Sequence, residues 1–409
     1  MSSLVSAVNA IKFDLGGDDD QADKMSCRYS IIILVVFCVV VSTKQYVGDP
    51  IDCWVPGTFT SSMRDYTDNM CWIKNTYYIP LDEVIPNKDD DITTEINYYQ
   101  WVPIVLIVQA LLFYLPYMAW KALNHRTGCD LKHIVKILTD STIINQDVRE
   151  KAVRFVTQHL DKFLCTREQP KPNIFSKFAQ HICIGKKYGN YMISVYFMVK
   201  LMYLINAFGQ LFLLNLFVGN GFTIYGFEVI RKLFNGTDVG ESLRFPRSTL
   251  CSFKVRQFGG NTHRHTVQCV LPINLFNEKI YLFIWFWLVF VTIFTFISII
   301  LWLWDIVGHT RVQFLKKYIK MMPDYHNKKK IDRRQINRFA THYLKQDGVF
   351  ILRLIGKNVN EVILCEIVLA LYQIYQQKHQ KAFKSSLEHL NRSKFSDSES
   401  KILEHYDEV

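Results

Sequence analysis

Four cysteines carry the clearest chemistry in this sequence. Cys53 and Cys71 are separated by seventeen residues, and Cys251 and Cys269 repeat that spacing. Each pair sits in a polar segment between long apolar runs, and disulfides persist only on the oxidising side of a membrane. The chemistry expected of these four is crosslinking outside the cell. Four cysteines allow three connectivities, and the spacing does not choose among them. The other six, Cys27, Cys38, Cys129, Cys165, Cys183 and Cys365, fall in apolar runs or basic segments and read as reduced thiols. His263 and His265 near Cys269 suggest a metal site, but a cysteine in a disulfide cannot ligate zinc. No metal and no cofactor is therefore expected. The sequence has no G-x-x-x-x-G-K-[ST], no H-E-x-x-H and no G-x-S-x-G, which points away from an enzyme.

The elements that must position these cysteines are membrane spans. The run 280–304 carries no charge and, at ~1.5 Å per residue, exceeds the ~30 Å hydrocarbon core. Tyr281, Trp302 and Trp304 sit near its ends, as interfacial aromatics do. Further spans are expected over 29–47, 102–123 and 191–218. Pro103 falls in the first turn of the second, and Pro116 is expected to kink it. The third contains Lys200, Asn206, Gln210 and Asn215, residues that in a span face a bundle interior or a water-filled path. Lys44, near the end of the first, fits either snorkelling to the interface or pore lining.

Four spans put both termini on one side, and loop charge chooses which. The net charge is +11, concentrated in 124–190 and in the tail after Trp304, whereas 48–101 is acidic. That is the positive-inside pattern of cytoplasmic loops, not the footprint of a nucleic-acid binder. The loop 219–279, mildly basic, weakens the pattern without reversing it. Both termini are thus expected in the cytoplasm, and all four equally spaced cysteines outside.

The expected architecture is an all-α membrane protein: four transmembrane helices, a small disulfide-braced extracellular α/β region and a helical cytoplasmic domain. Residues 1–28 form an N-terminal helix and linker. Leu4, Val8, Ile11 and Leu15 make an apolar stripe on it, with Ser6 and Asn9 opposite and Lys12 on the flank. Such a helix lies on the membrane surface or folds into a pore. In the second outer loop, Thr249, Cys251, Phe253 and Val255 share one face of a strand, and Gly259-Gly260-Asn261 reads as a turn. Residues 305–384 read as helical. Ile336, Phe339, Ala340, Tyr343 and Leu344 form a helical stripe, and 359–375 is too short and too charged for a fifth span. The polar stretch 385–409 reads as disordered; its terminal Tyr406-Asp407-Glu408-Val409 fits a solvated tail or a groove-docking motif. Asn235-Gly236-Thr237 is an N-glycosylation sequon in an outer loop.

Tyr98-Tyr99-Gln100-Trp101-Val102, directly before the second span, resembles the signature of the innexins, the invertebrate gap-junction proteins. So do Gly48-Asp49-Pro50-Ile51 before Cys53-Trp54, Phe245-Pro246-Arg247 through Cys251, Val267-Gln268-Cys269-Val270-Leu271-Pro272, Asn277-Glu278-Lys279, and Asp347-Gly348-Val349-Phe350. The resemblance implies a large-pore channel of the plasma membrane at gap junctions. It implies octameric hemichannels, homomeric or mixed with related subunits, that dock end to end between adjacent cells and contact membrane lipid. It also implies bonds between the outer loops, Cys53 to Cys269 and Cys71 to Cys251, and N-terminal helices folded into the pore. Ser6, Asn9, Lys12 and Lys44 would then line the pore. A glycan on Asn235 would oppose docking and favour an unpaired hemichannel. The reading from outside this class is a non-conducting four-span adhesion or scaffold protein.

Overall fold

A computed structural model describes residues 19–79, 95–125, 128–141, 146–165, 189–219, 221–236, 244–256, 259–306, 308–321, 333–381 and 384. The elements, in chain order, begin with helix α1 (Gln21–Tyr46), strand β1 (Asp52–Trp54), helix α2 (Ser61–Lys74) and strands β2 (Thr76–Tyr77) and β3 (Glu95–Ile96). Helices α3 (Val102–His125), α4 (Leu131–Ser141), α5 (Gln146–Cys165), α6 (Tyr191–Val218) and α7 (Tyr225–Phe234) follow. Strands β4 (Ser248–Arg256) and β5 (Thr262–Val270) precede helices α8 (Pro272–Ile306), α9 (Gly308–Ile319), α10 (Arg333–Arg338) and α11 (Lys345–Asn358). Helix α12 covers 361–381. Helices α1, α3, α6 and α8 are long and apolar enough to cross a membrane. The N-terminal stripe, Cys183 and the tail 385–409 lie outside the described residues.

Two of the spans are longer than hydropathy alone suggests. Helix α8 starts at Pro272, eight residues before the apolar run, because Asn274, Asn277 and Glu278 are buried rather than solvated. Proline suits the first turn, where its missing N–H has no helical partner to lose. Helix α1 starts at Gln21 and passes through a π-turn at Met25–Tyr29, a feature that often marks a functional site.

The chain forms two compact units. The first comprises, among described residues, Gln21–Ala119 and Val199–Ile299. Its disulfide-bearing end is a five-stranded antiparallel sheet in the order β1-β5-β4-β2-β3. Strands β4 and β5 form a hairpin nine pairs long, with Gly259 and Gly260 at φ 98° and 88° beside the turn, a left-handed geometry that glycine adopts without strain. Thr249, Cys251 and Phe253 are buried on one face of β4, as alternation predicts, but Ser252 on the opposite face is buried too. The preceding segment supplies the other three strands, so neither segment can complete the sheet alone. Helix α2 is capped by Thr60, whose Oγ1 accepts from the Met63 amide, and ends at Asn75 with φ 74°.

The second unit includes Trp120–Met198 and the described residues from Ile300 onward. Val156, Leu160, Leu315, Phe339, Leu344, Ile355, Ile367 and Leu371 bury its core. The stripe from Ile336 to Leu344 is split between α10 and a π-turn at Phe339–Leu344, with Lys345 at φ 56° after it. The apolar stretch after Val359 is a helix of this unit, burying Ile363, Leu364, Val368 and Tyr372. Asp347 is fully buried: it accepts from the Ile193 amide, while its own amide donates to Gly189 O at 2.8 Å.

In this unit Asp161 of α5 accepts from the Tyr343 hydroxyl and, through both oxygens, from Lys378 Nζ of α12 at 2.7 and 2.8 Å. Burial pushes the Asp161 carboxyl up, but the donors outweigh it and hold the carboxyl below its usual value. Its contribution to stability is thus present above the unfolded carboxylate value and lost as pH falls through the lower folded one. Lys378 is raised: burial lowers it, and Asp161 and Cys165 more than reverse that. Its share is lost only as pH rises past its ordinary value of 10.5. Lys378 is half exposed, so the expected cost of Asp161→Asn at neutral pH is about 1 kcal/mol. Thermal unfolding should show that deficit at neutral pH and its progressive loss as pH falls below about 4.

Candidate functional site

The four equally spaced cysteines meet within the first unit. Cys53 is bonded to Cys269, and Cys71 to Cys251. Cys53 and Cys269 are direct register partners across β1 and β5, so that bond clamps an edge strand only three residues long. Cys71 lies on α2, and its bond to β4 clamps a helix to the sheet. Among the residues of α2, only Thr67 and Cys71 are buried. Polar contacts add to the clamp: Asp68 Oδ1 accepts from the Cys53 amide at 2.9 Å, and Lys74 Nζ donates to Ser252 O at 2.6 Å. Burial raises the Asp68 carboxyl, opposed by that amide. The cap leaves apolar side chains uncovered: Trp54, Met63, Tyr66 and Ile73 are exposed.

The signature Tyr98 to Val102 forms the joint beneath this cap. Tyr98 and Tyr99 are buried, Trp101 is exposed and Val102 fully buried. The Tyr98 hydroxyl donates to Arg244 O at 2.9 Å, and its ring meets Tyr99, Phe217 and Phe245 edge-on. Gln100 Nε2 donates to Trp72 O of α2, while Gln100 O accepts from Gln45 Nε2 of α1. One short turn therefore ties two spans, α2 and the segment that leads into β4. Burial drives the Tyr98 hydroxyl far above the usual phenol range and Tyr99 up to about 12, so both stay neutral. Arg247 donates to Glu278 at 2.9 Å, and Asn274 Nδ2 to Pro246 O at 2.8 Å. The stretches around Phe245 and Asn277 thus meet in one place.

Helix α7, which the sequence reading left unassigned, braces the same joint. Arg244 pairs with Glu228 at 2.8 Å and donates to Gly221 O. The Arg244 hydrogen bond holds the Glu228 carboxyl below its ordinary value. Gly226 lies where the Trp285 ring fills the space of a Cβ, and Trp285 Nε1 donates to Thr223 O at 3.0 Å. The cue available in sequence was Gly226 amid the apolar residues Tyr225, Phe227 and Ile230. Asn235 is exposed at the end of α7.

Several polar residues of the spans find partners inside the chain, whereas the buried Gln109 amide of α3 has none among the described residues. Lys200 is 0% exposed and pairs with Asp23, itself 3% exposed, at 3.0 Å. Lys200 Nζ also donates to Ser298 Oγ at 2.9 Å. Ser26 and Thr295 share a hydrogen bond, and Trp287 Nε1 donates to Ser30 Oγ. Gln210 donates to Asn206, and Asn215 Oδ1 accepts from the Phe222 amide. Lys44 is half-buried, its side chain beside Gly48. Ser6, Asn9 and Lys12 lie outside the described residues.

The family model described as Innexin matches residues 19–375. Innexin unc-9 of Caenorhabditis elegans is 40% identical over 374 residues, covering 91% of this chain and 95% of that protein. Innexin-3 of the same organism is 37% identical over 359 residues, covering 87% and 83%. Innexin-19 of Caenorhabditis briggsae is 33% identical over 402 residues, covering 90% and 88%.

Proposed function

The chain belongs to the innexin family, and we propose that it is a large-pore channel subunit passing ions and small solutes between adjacent cells. As a member of that family it is a multi-pass gap-junction channel subunit acting in an oligomer. The proposal adds an octameric hemichannel, homomeric or mixed with related subunits, with both termini in the cytoplasm. The observation that carries the docking part is the cap: two outer loops welded by two disulfides, with Trp54, Met63, Tyr66 and Ile73 exposed. A rigid face with exposed aromatic and aliphatic residues suits contact with another protein. Exposed apolar residues along α3 and α8, among them Leu111, Leu115, Phe290 and Ile297, suit lipid.

Ser6, Asn9 and Lys12 are assigned to the permeation path, with Lys44 toward its outer end. Symmetry multiplies each into a ring, so one charge change acts several times over. The test is paired-cell recording beside single-cell dye uptake, with Asn9→Asp and Asn9→Lys examined under a salt gradient. Coupling between paired cells is expected, with cation preference raised by Asn9→Asp and lowered by Asn9→Lys. Dye uptake without coupling would favour the unpaired hemichannel, the reading suggested by the exposed sequon at Asn235. Neither coupling nor uptake, with normal surface expression, would favour the adhesion reading.

A further inference from the structure

Trp302 and Asp305 close the last span, and the chain then turns into α9. With Arg311 of α9 and Gln346, Phe350 and Arg353 of α11, they border a shallow surface recess that encloses only about 10 Å³. Charge within it does not balance. Arg353 Nη1 lies 2.7 Å from Asp305 Oδ1, and among the described residues Arg311 is paired with no carboxylate. Nearby Lys357 does not alter the account, because Asp20 neutralises it at 3.3 Å. The recess therefore holds two guanidiniums and one carboxylate, which pairs with Arg353 alone.

The hydrogen bonds do not balance either. The Arg353 side chain is only 9% exposed, yet its Nε has no acceptor, and its Nη1 is not aligned for a hydrogen bond to Asp305. Arg311 Nε is buried without an acceptor too. Buried donors of a charged group left unmatched are costly. Burial and the neighbouring Arg353 charge both pull Arg311 below its ordinary value.

What is missing is an anion with several acceptor oxygens, and a guanidinium fork fits phosphate in that role. The position selects the source. The recess opens where the apolar run ends, next to Trp302 and Asp305, at headgroup depth. Its remaining wall is largely apolar, with Ile193, Ile306 and Val349, which suits the glycerol and first methylenes of a lipid better than a freely hydrated ion. Basic pockets among spans bind anionic headgroups in this way. We propose that Arg311 and Arg353 form a site for the phosphate of an anionic phospholipid, at the end of the last span. The site rests on the four-span fold and is independent of what the channel conducts.

The test uses the full chain in nanodiscs of phosphatidylcholine with or without phosphatidic acid. Lipid retention is read by native mass spectrometry and the melting temperature alongside it. Phosphatidic acid should be retained and should raise the melting temperature. Arg311→Gln should weaken retention roughly tenfold or more, the effect of losing a charge-assisted bond. Arg311→Lys, which keeps the charge but not the fork, should fall between. It also guards against misreading a folding defect, since it is expected to fold as the wild type does. Arg353→Gln is less informative, because it strands Asp305. Retention unchanged by Arg311→Gln would overturn the site. A saturable, Arg311-dependent rise with inorganic phosphate in pure phosphatidylcholine would overturn the lipid assignment.

Discussion

Replacing Cys71 or Cys269 with Ser is expected to abolish coupling between paired cells and to destabilise the cap by about 2–5 kcal/mol. The bonds span 180 and 216 residues of chain, and each holds something that little else holds. Without Cys269, β1 is an edge strand of three residues, too short to pair stably on its own. Without Cys71, α2 keeps one buried side chain, Thr67, and a few polar contacts. The exposed Tyr66 and Ile73 would then lose their fixed positions, and a docking face depends on those positions more than on their identity. Non-reducing gels and surface labelling should still find the protein, at reduced levels, while junctional conductance falls to background. Normal conductance in either variant would separate docking from the disulfides.

Lys200→Met should be damaging in a different way. The partner, Asp23, is left buried without its cation, and breaking a buried ion pair from one side costs about 3–5 kcal/mol. Asp23 stands two residues before the π-turn Met25–Tyr29, so the start of α1 is the segment expected to loosen. The double variant Asp23→Asn, Lys200→Met removes both charges and should recover most of the lost thermal stability and oligomer yield. If the double variant is as impaired as the single one, the pair is not the reason.

Much of the fold is legible because hydropathy is a local signal. The spans at Val102 and Tyr191 start where the apolar runs start. Helix α8 begins earlier than its run because Asn277 and Glu278 are buried by groups distant in sequence, among them Arg247. Lys200 is marked locally as a charge within an apolar run, but its partner Asp23 is illegible for the same reason, because the two are 177 residues apart. Short strands such as β2 and β3 exist only through their neighbours, so no periodicity of their own announces them. The site divides similarly. Spacing pointed to the cysteines, whereas Arg244, Glu228 and the rest of the joint around Tyr98 needed the folded chain to bring them together.

The interleaving of the sheet has a consequence for biosynthesis. Strands β1 and β2 leave the ribosome long before β4 and β5, their only route to full pairing. At the usual pace of translation a gap of 180 residues is about ten to forty seconds. During that interval Cys53 and Cys71 wait as thiols, close enough in sequence to join each other wrongly. The correct bonds become available only after the third span has crossed and the second outer loop has followed it. Oxidation of this cap therefore reports that membrane insertion has been completed in the right order, and a chain stalled or inverted at the third span would reach the quality-control machinery with its early thiols still free.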